Sequence, residues 1–293
     1  MSAAHTHLQP SFSVLLTSAL VVLAVVYSRG WWRLRSAVPG TILFRRVAAF
    51  MAGLLFLWIV GASPLSALDH VSLTIHMIKH LVLMLVAAPL ILAGTPVLPL
   101  LLGLPARAER GLQNLLLRSS LLHWLRRLFR HLAFCWLFAA GAVIGWHVPA
   151  VFQLALRSHW WHGVEYISFT LAGLLFWRPV MGADSSWPRW SMPLYLFFAT
   201  LPCDILSAFL AFCDRVVYTS YLSAPHLFNL SPLEDQQCAS ALMWVSVTIV
   251  YLLPAAAITM RILSPKGTYS RQPTAALPDG SPSPLNHSGV EVG

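Results

Sequence analysis

Seven long apolar stretches limit what this chain can fold into. They lie at approximately 12–28, 44–61, 72–93, 132–148, 160–178, 192–212 and 237–261. A helix that crosses a lipid bilayer needs about 20 mostly apolar residues. The whole chain is 57% hydrophobic and only 10% charged, whereas soluble domains carry about 25% charged residues. The sequence therefore predicts an all-α polytopic membrane protein, built as a bundle of about seven transmembrane helices.

The distribution of lysine and arginine predicts the orientation of this bundle. If the N-terminus is outside, 16 of the 19 basic residues fall in segments that face the cytoplasm. The exceptions are Lys79, Arg157 and Arg215. Because cytoplasmic loops carry an excess of basic residues, we expect the N-terminus outside and the C-terminus in the cytoplasm. The net charge of +9 then reflects membrane topology, and no nucleic-acid partner is expected.

The apolar stretches also divide the chain into regions. We expect a short periplasmic N-terminus at 1–11, a seven-helix membrane domain at 12–263 and a disordered cytoplasmic tail at 264–293, which is rich in Pro, Ser and Gly. Within the membrane domain, apolar and basic residues alternate at helical spacing over about 105–131. This pattern is typical of an amphipathic segment that lies on the membrane surface, here the cytoplasmic one.

With this orientation, most histidines and several acidic residues collect near the outer face. Nine of the twelve histidines fall on that side. The acidic residues there are Asp69, Glu165, Asp204, Asp214, Glu234 and Asp235. Ionisable groups within a membrane are costly and usually face the interior of a helix bundle. The outer half of the bundle is therefore the predicted functional region.

Two spacings place polar side chains on shared helix faces. His76 and His80 are four residues apart, and His162 and Glu165 are three apart. Imidazole and thioether groups suit copper, and carboxylates can orient the imidazoles. Structural roles remain open, because histidines also form hydrogen bonds between membrane helices. Glu165 can simply bond His162.

Other polar and small residues have structural interpretations as well. Lys79 and Asp204 lie at matching depth and can form an ion pair. Cys213 and Cys238 can form a disulfide in an oxidising compartment. The sequence GAVIG at 141–145 matches the GxxxG pattern and predicts close helix packing.

Four segments resemble the CtaG family of cytochrome c oxidase assembly factors of the caa3-oxidase type. They are HMIKHLVLMLVAAPLILAG, GWHVPAVFQLALRS, HWWHGVEYISFTLAGLLFWRPVMG and LSPLEDQQCASALMW. The resemblance covers approximately 65–262. It implies a multi-pass protein of the bacterial cytoplasmic (inner) membrane that is not an enzyme, with copper as the metal and oxidase subunits as partners. Carried over by motif, the metal-binding positions are His76, His80, His147, His162, Glu165, Glu234, Asp235 and Met243.

The sequence thus leads to one principal hypothesis and three alternatives. The principal hypothesis is an assembly factor that holds copper transiently in the outer half of the bundle and helps deliver it to the oxidase. The alternatives are a copper or proton transporter, a membrane-embedded redox enzyme using haem or copper, and a metal-free scaffold for oxidase subunits.

Overall fold

The computed structural model describes residues 9–35, 40–182, 187–188, 190–223 and 229–264. Most of the predicted periplasmic segment 1–11, and all but the first residue of the predicted tail 264–293, lie outside the described residues. The chain divides into two units, Met1–Ile262 and Leu263–Gly293, and the fold below is that of the first.

The described residues form α-helices joined by connections of various lengths, and they contain no strand. Two of these connections contain 3₁₀ helices, Pro64–His70 and Thr219–Tyr221. The α-helices are α1 (Gln9–Leu34), α2 (Gly40–Gly61), α3 (Leu73–Ala93), α4 (Val97–Gly103), α5 (Ala106–Arg118), α6 (Ser120–Leu128), α7 (Leu132–His147), α8 (Pro149–Arg157), α9 (His159–Met181), α10 (Ser191–Phe212) and α11 (Pro232–Leu263).

Five of the described helices are long and apolar enough to cross a membrane. They are α1, α2, α3, α10 and α11. A sixth candidate is the pair α6 and α7, which is bent by 79°. The all-helical class is therefore confirmed for the described residues, and five or six of their helices are candidate membrane spans. The count of seven spans and the orientation of the termini stay predictions.

A π-helical segment interrupts α3 directly after Leu81, the residue that follows His80. The helix runs as α over Leu73–Leu81, as π over Val82–Ala87 and again as α over Ala88–Ala93. Ala88 donates its N–H to the carbonyl of Leu83, five residues back, and Pro89 has no N–H to donate. The indole of Trp177 bonds the carbonyl of Met84 instead, at 2.9 Å. This wide turn changes which residues of α3 face the bundle interior, and π-turns of this kind occur often at functional sites.

Close packing with α9 fixes the position of this segment. A methyl group added at Gly173 would lie 2.8 Å from the Ala88 Cβ and 3.0 Å from the Met84 Cα. Glycine is therefore required for this approach of the two helices. The predicted close packing at Gly141 and Gly145 is wrong, because an added Cβ at either position meets nothing within 4 Å.

The predicted amphipathic segment at about 105–131 contains α5 and α6, and α6 has no buried residue. Large apolar side chains are exposed on it, including Leu117 and Trp124. Arg178 on α9 ties its end to the bundle by donating from Nη1 to the carbonyl of Phe129 at 2.7 Å. Its cytoplasmic location stays a prediction.

The four cysteines are all free, so the Cys213–Cys238 disulfide is not formed. The ion pair proposed for Lys79 has a different partner from the one expected. Lys79 pairs with Asp69, at the end of the first 3₁₀ helix, and not with Asp204. In the part of the chain that the structure describes, neither the Lys79–Asp204 ion pair nor the Cys213–Cys238 disulfide that the sequence suggested is therefore present.

Candidate metal site

The first turns of α3 present two buried histidines on one face. His76 and His80 are separated by about one helical turn, and their ring centroids lie 4.4 Å apart. Only 1% of His76 and 8% of His80 is exposed. The helix begins at Ser72, whose Oγ accepts a bond from the N–H of Ile75. This cap fixes where the histidine pair enters the bundle.

Glu165 on α9 lies between the two imidazoles. Its Oε1 is 3.4 Å from Nε2 of His76 and 3.3 Å from Nε2 of His80. Its Oε2 is 3.3 Å from Nδ1 of His162, one turn earlier on α9. The carboxylate is 1% exposed. Two helices therefore converge on a buried group of three imidazoles around one carboxyl.

Several buried atoms of this group have no hydrogen-bond partner in suitable geometry. Both oxygens of Glu165 and both ring nitrogens of His76 are buried without one among the described residues. Buried polar atoms are nearly always paired, so an exception of this size calls for an explanation. One ligand atom each from His76, His80 and Glu165 lies within 4.8 Å of the others, close enough for the three to share one metal ion.

A charged network adjoins the group on the side of the 3₁₀ helix. Asp69 forms an ion pair with Lys79, and its Oδ2 lies 3.2 Å from Nε2 of His162. His162 therefore contacts both Asp69 and Glu165. The hydroxyl of Tyr221 donates to the carbonyl of Asp69 at 2.7 Å. Burial opposes ionisation of Asp69, but the charge of Lys79, followed by that of His162, outweighs burial and lowers the pKa of the carboxyl.

A small apolar cavity lies beyond His80, toward the middle of the bundle. Its volume is about 50 Å³, and its lining includes His80, His147, Met77 and Met243. His147, at the end of α7, places Nε2 3.3 Å from the Met77 sulfur. Met243, on α11, is 4% exposed. The cavity thus brings together two of the remaining predicted ligands.

The structure places the other two predicted ligands elsewhere. Glu234 is exposed and accepts a bond from the N–H of Ser231 at the start of α11. Asp235 accepts bonds from Ser72 Oγ, from the N–H groups of Leu73 and Thr74, and from Thr74 Oγ1. Its carboxylate therefore caps α3 and is not directed at His76.

Several residues of the site are not visible as ligands in the sequence. Asp69 lies near the stripe of His76 and His80, but only the fold shows that it pairs with Lys79. Met77 and His147 are 70 residues apart in the sequence, so only the fold shows their contact. Cys203 lines the cavity from α10. A spacing of the form Asp-x₉-Lys does not indicate an ion pair in a sequence. The methionines near His76 and His80, in contrast, could have indicated sulfur donors close to the histidines.

The donor set of the group is two imidazoles and a carboxylate, with sulfur in the adjoining cavity. Imidazole and carboxylate suit copper(II), and also zinc and iron(II), while thioether and thiol favour copper(I). The residues present therefore fit copper as a cargo, although the nitrogen and oxygen donors alone do not select it.

Comparison with known proteins gives one match. No curated protein and no solved structure matches the chain. The family model for the cytochrome c oxidase caa3 assembly factor (Caa3_CtaG) matches residues 25–264. This range contains the histidine and carboxylate group, the cavity and the π-helical segment. The resemblance read from four short segments is confirmed and extended toward the N-terminus, and the chain belongs to the Caa3_CtaG family of cytochrome c oxidase caa3 assembly factors.

Proposed function

We propose that this protein is a non-catalytic assembly factor that holds a copper ion as cargo between His76, His80 and Glu165. It then releases the ion to a subunit of cytochrome c oxidase. The proposal includes a multi-pass location in the bacterial cytoplasmic membrane, with the site in the outer half of the bilayer. Family membership supports the role in oxidase assembly.

The observation that carries the copper step is the position of Glu165. One of its oxygens lies 3.4 and 3.3 Å from two imidazole nitrogens, and neither oxygen has a hydrogen-bond partner. A carboxylate taken out of water needs compensation by charge or hydrogen bonds. A bound cation would supply that compensation and would use the nitrogen lone pairs at the same time.

The second layer supports transient holding. His162 links the group to Asp69, which also pairs with Lys79. Residues of this kind orient the groups that touch a metal and tune its affinity. The side chain of His162 is 21% exposed, the most of the three histidines around Glu165. It lies where an ion would enter or leave.

A complementation experiment tests the proposal. A strain lacking the gene receives wild type, a His76→Gln/His80→Gln variant, or His123→Gln as a matched control from the exposed α6. We expect wild type and His123→Gln to restore oxidase activity and oxidase-bound copper. The double variant should restore less than about a tenth of both, because it removes two ligands at once. Added copper should partly rescue the double variant.

Two outcomes would contradict the proposal. Full restoration by a stably produced double variant would show a metal-free scaffold. Net copper flux in vesicles that contain the purified protein would show a transporter. Membrane levels of each variant must be measured in parallel, so that loss of the protein is not mistaken for loss of copper.

A further inference from the structure

The proton of His147 is fixed by the backbone. Nδ1 of His147 lies 2.6 Å from the carbonyl oxygen of Val143, one turn earlier on α7. A carbonyl oxygen only accepts, so Nδ1 must carry the hydrogen of this bond. In a neutral imidazole the other nitrogen, Nε2, then carries no hydrogen and has a free lone pair.

This lone pair faces a second one. Nε2 lies 3.3 Å from the Met77 sulfur, and a thioether is also an acceptor. Both side chains are buried, with 5% of His147 and 1% of Met77 exposed. A proton on Nε2 would create an imidazolium in apolar surroundings, which is costly without a paired carboxylate. A soft cation between the two atoms would satisfy both at once.

The surrounding cavity has the chemistry of a soft-metal site. Its lining includes Met84, Cys203 and Met243 in addition to Met77 and His147, and no carboxylate. Thioether and thiolate groups favour copper(I) over harder ions, and imidazole also binds copper. The volume of about 50 Å³ is several times the roughly 10–15 Å³ that a single water-sized particle requires.

His80 connects this cavity to the first site. Its Nε2 faces Glu165, while its ring lines the cavity and lies 6.2 Å from the ring of His147. The two sets of donors are therefore adjacent but differ in chemistry. The group around Glu165 offers nitrogen and oxygen, and the cavity offers nitrogen and sulfur.

We infer that Met77 and His147 form a second metal site, selective for monovalent copper, with Met243 and Cys203 as further soft donors across the cavity. The inference deepens the proposed function and rests on it for the identity of the natural cargo. It assigns copper(I) to the site at Met77 and His147. The site at Glu165 would then bind copper(II) or serve as the point where copper enters.

Titration of the purified full-length protein in detergent tests the inference. Copper(I) is titrated without oxygen against a chromophoric copper(I) chelator, and silver(I) serves as a redox-inert probe. The variants are Met77→Leu and His147→Gln, with Met51→Leu as the control for a half-buried methionine on α2. Leucine nearly conserves the volume of methionine and removes only the sulfur.

We expect Met77→Leu to weaken binding of copper(I) and silver(I) at least about tenfold, and Met51→Leu to leave both unchanged. Copper(II) binding by Met77→Leu should equal that of wild type. X-ray absorption of the copper(I)-loaded protein should show sulfur bound to the metal, with less sulfur in Met77→Leu.

Two results would overturn the second site. One is equal copper(I) affinity in Met77→Leu and Met51→Leu, and the other is an absorption spectrum with only nitrogen and oxygen ligands. Neither affects the proposed function if Glu165→Gln still weakens copper binding. Conversely, copper(I) binding that depends on Met77 in a protein whose oxidase assembly does not need Glu165 would support the second site and refute the first.

Discussion

Glu165 and Asp235 are carboxylates near the same end of the bundle, yet their surroundings differ in every respect. Asp235 accepts four hydrogen bonds, from Ser72, Leu73 and Thr74, including two backbone N–H groups. Glu165 is flanked by three imidazoles at 3.3–3.4 Å, and neither of its oxygens has a hydrogen-bond partner. One carboxylate is fully used by the fold, and the other is not.

This difference separates a structural role from a functional one. The N-terminus of a helix attracts negative charge and offers free N–H groups, so Asp235 stabilises α3 where it stands. Among the described residues, no hydrogen-bond donor satisfies either oxygen of Glu165. A buried polar group without a partner lowers the stability of the fold. Such groups are expected at functional sites, where the loss is retained because function requires the group.

The comparison predicts opposite outcomes for isosteric amide variants of the two residues. In Glu165→Gln, copper affinity should fall about 100-fold, equal to about 2.7 kcal/mol, because the only anionic donor of the group is removed. The temperature of unfolding without metal should not fall, since a neutral amide costs less to bury than a carboxylate. Metal titration and thermal unfolding in the same detergent measure both. A large loss of stability with unchanged affinity would reverse the comparison.

Asp235→Asn should show the reverse pattern. An amide can present only one acceptor oxygen, so its NH₂ group would face the donors of Ser72 and Thr74 or that of Leu73. We expect a loss of about 2 kcal/mol in stability, from one weakened cap and one unsatisfied donor. Copper affinity should change less than about threefold, because the change leaves all three ligands of the first site in place. Ser231→Ala, which removes a bond to the exposed start of α11, is the milder control.

The sequence alone predicts the all-helical class and the approximate positions of the long apolar helices, but not this distinction. Apolar length marks those helices, because the bilayer requires about 20 apolar residues whatever the neighbours are. Spacing within one helix pairs His76 with His80, and His162 with Glu165. The rotation of one helix relative to another leaves no pattern in the local sequence. The sequence therefore places Asp235 at the same membrane depth as the predicted ligands, but it cannot show that this carboxylate caps α3. The π-turn at Val82–Ala87 adds to this uncertainty, since it shifts every later residue of α3 around the axis.

The packing beneath the site offers a finer test of the same separation. Gly173 lies on α9 about two turns beyond Glu165, or roughly 12 Å along the axis, and a methyl group there would meet the backbone of α3 at Met84. Gly173→Ala should therefore destabilise the protein by about 1 kcal/mol through overpacking. Gly141→Ala is the matched control, since its methyl group meets nothing within 4 Å and helix propensity alone should stabilise it.

Copper affinity in Gly173→Ala should fall by less than about tenfold, because Glu165 moves with α9 as a whole while His76 and His80 stay on α3. If the two alanine variants unfold at the same temperature, the contact between Gly173 and the π-helical segment does not set the distance between these helices. The geometry at Glu165 would then depend on the contact of His162 on α9 with Asp69, whose ion pair with Lys79 leads to α3.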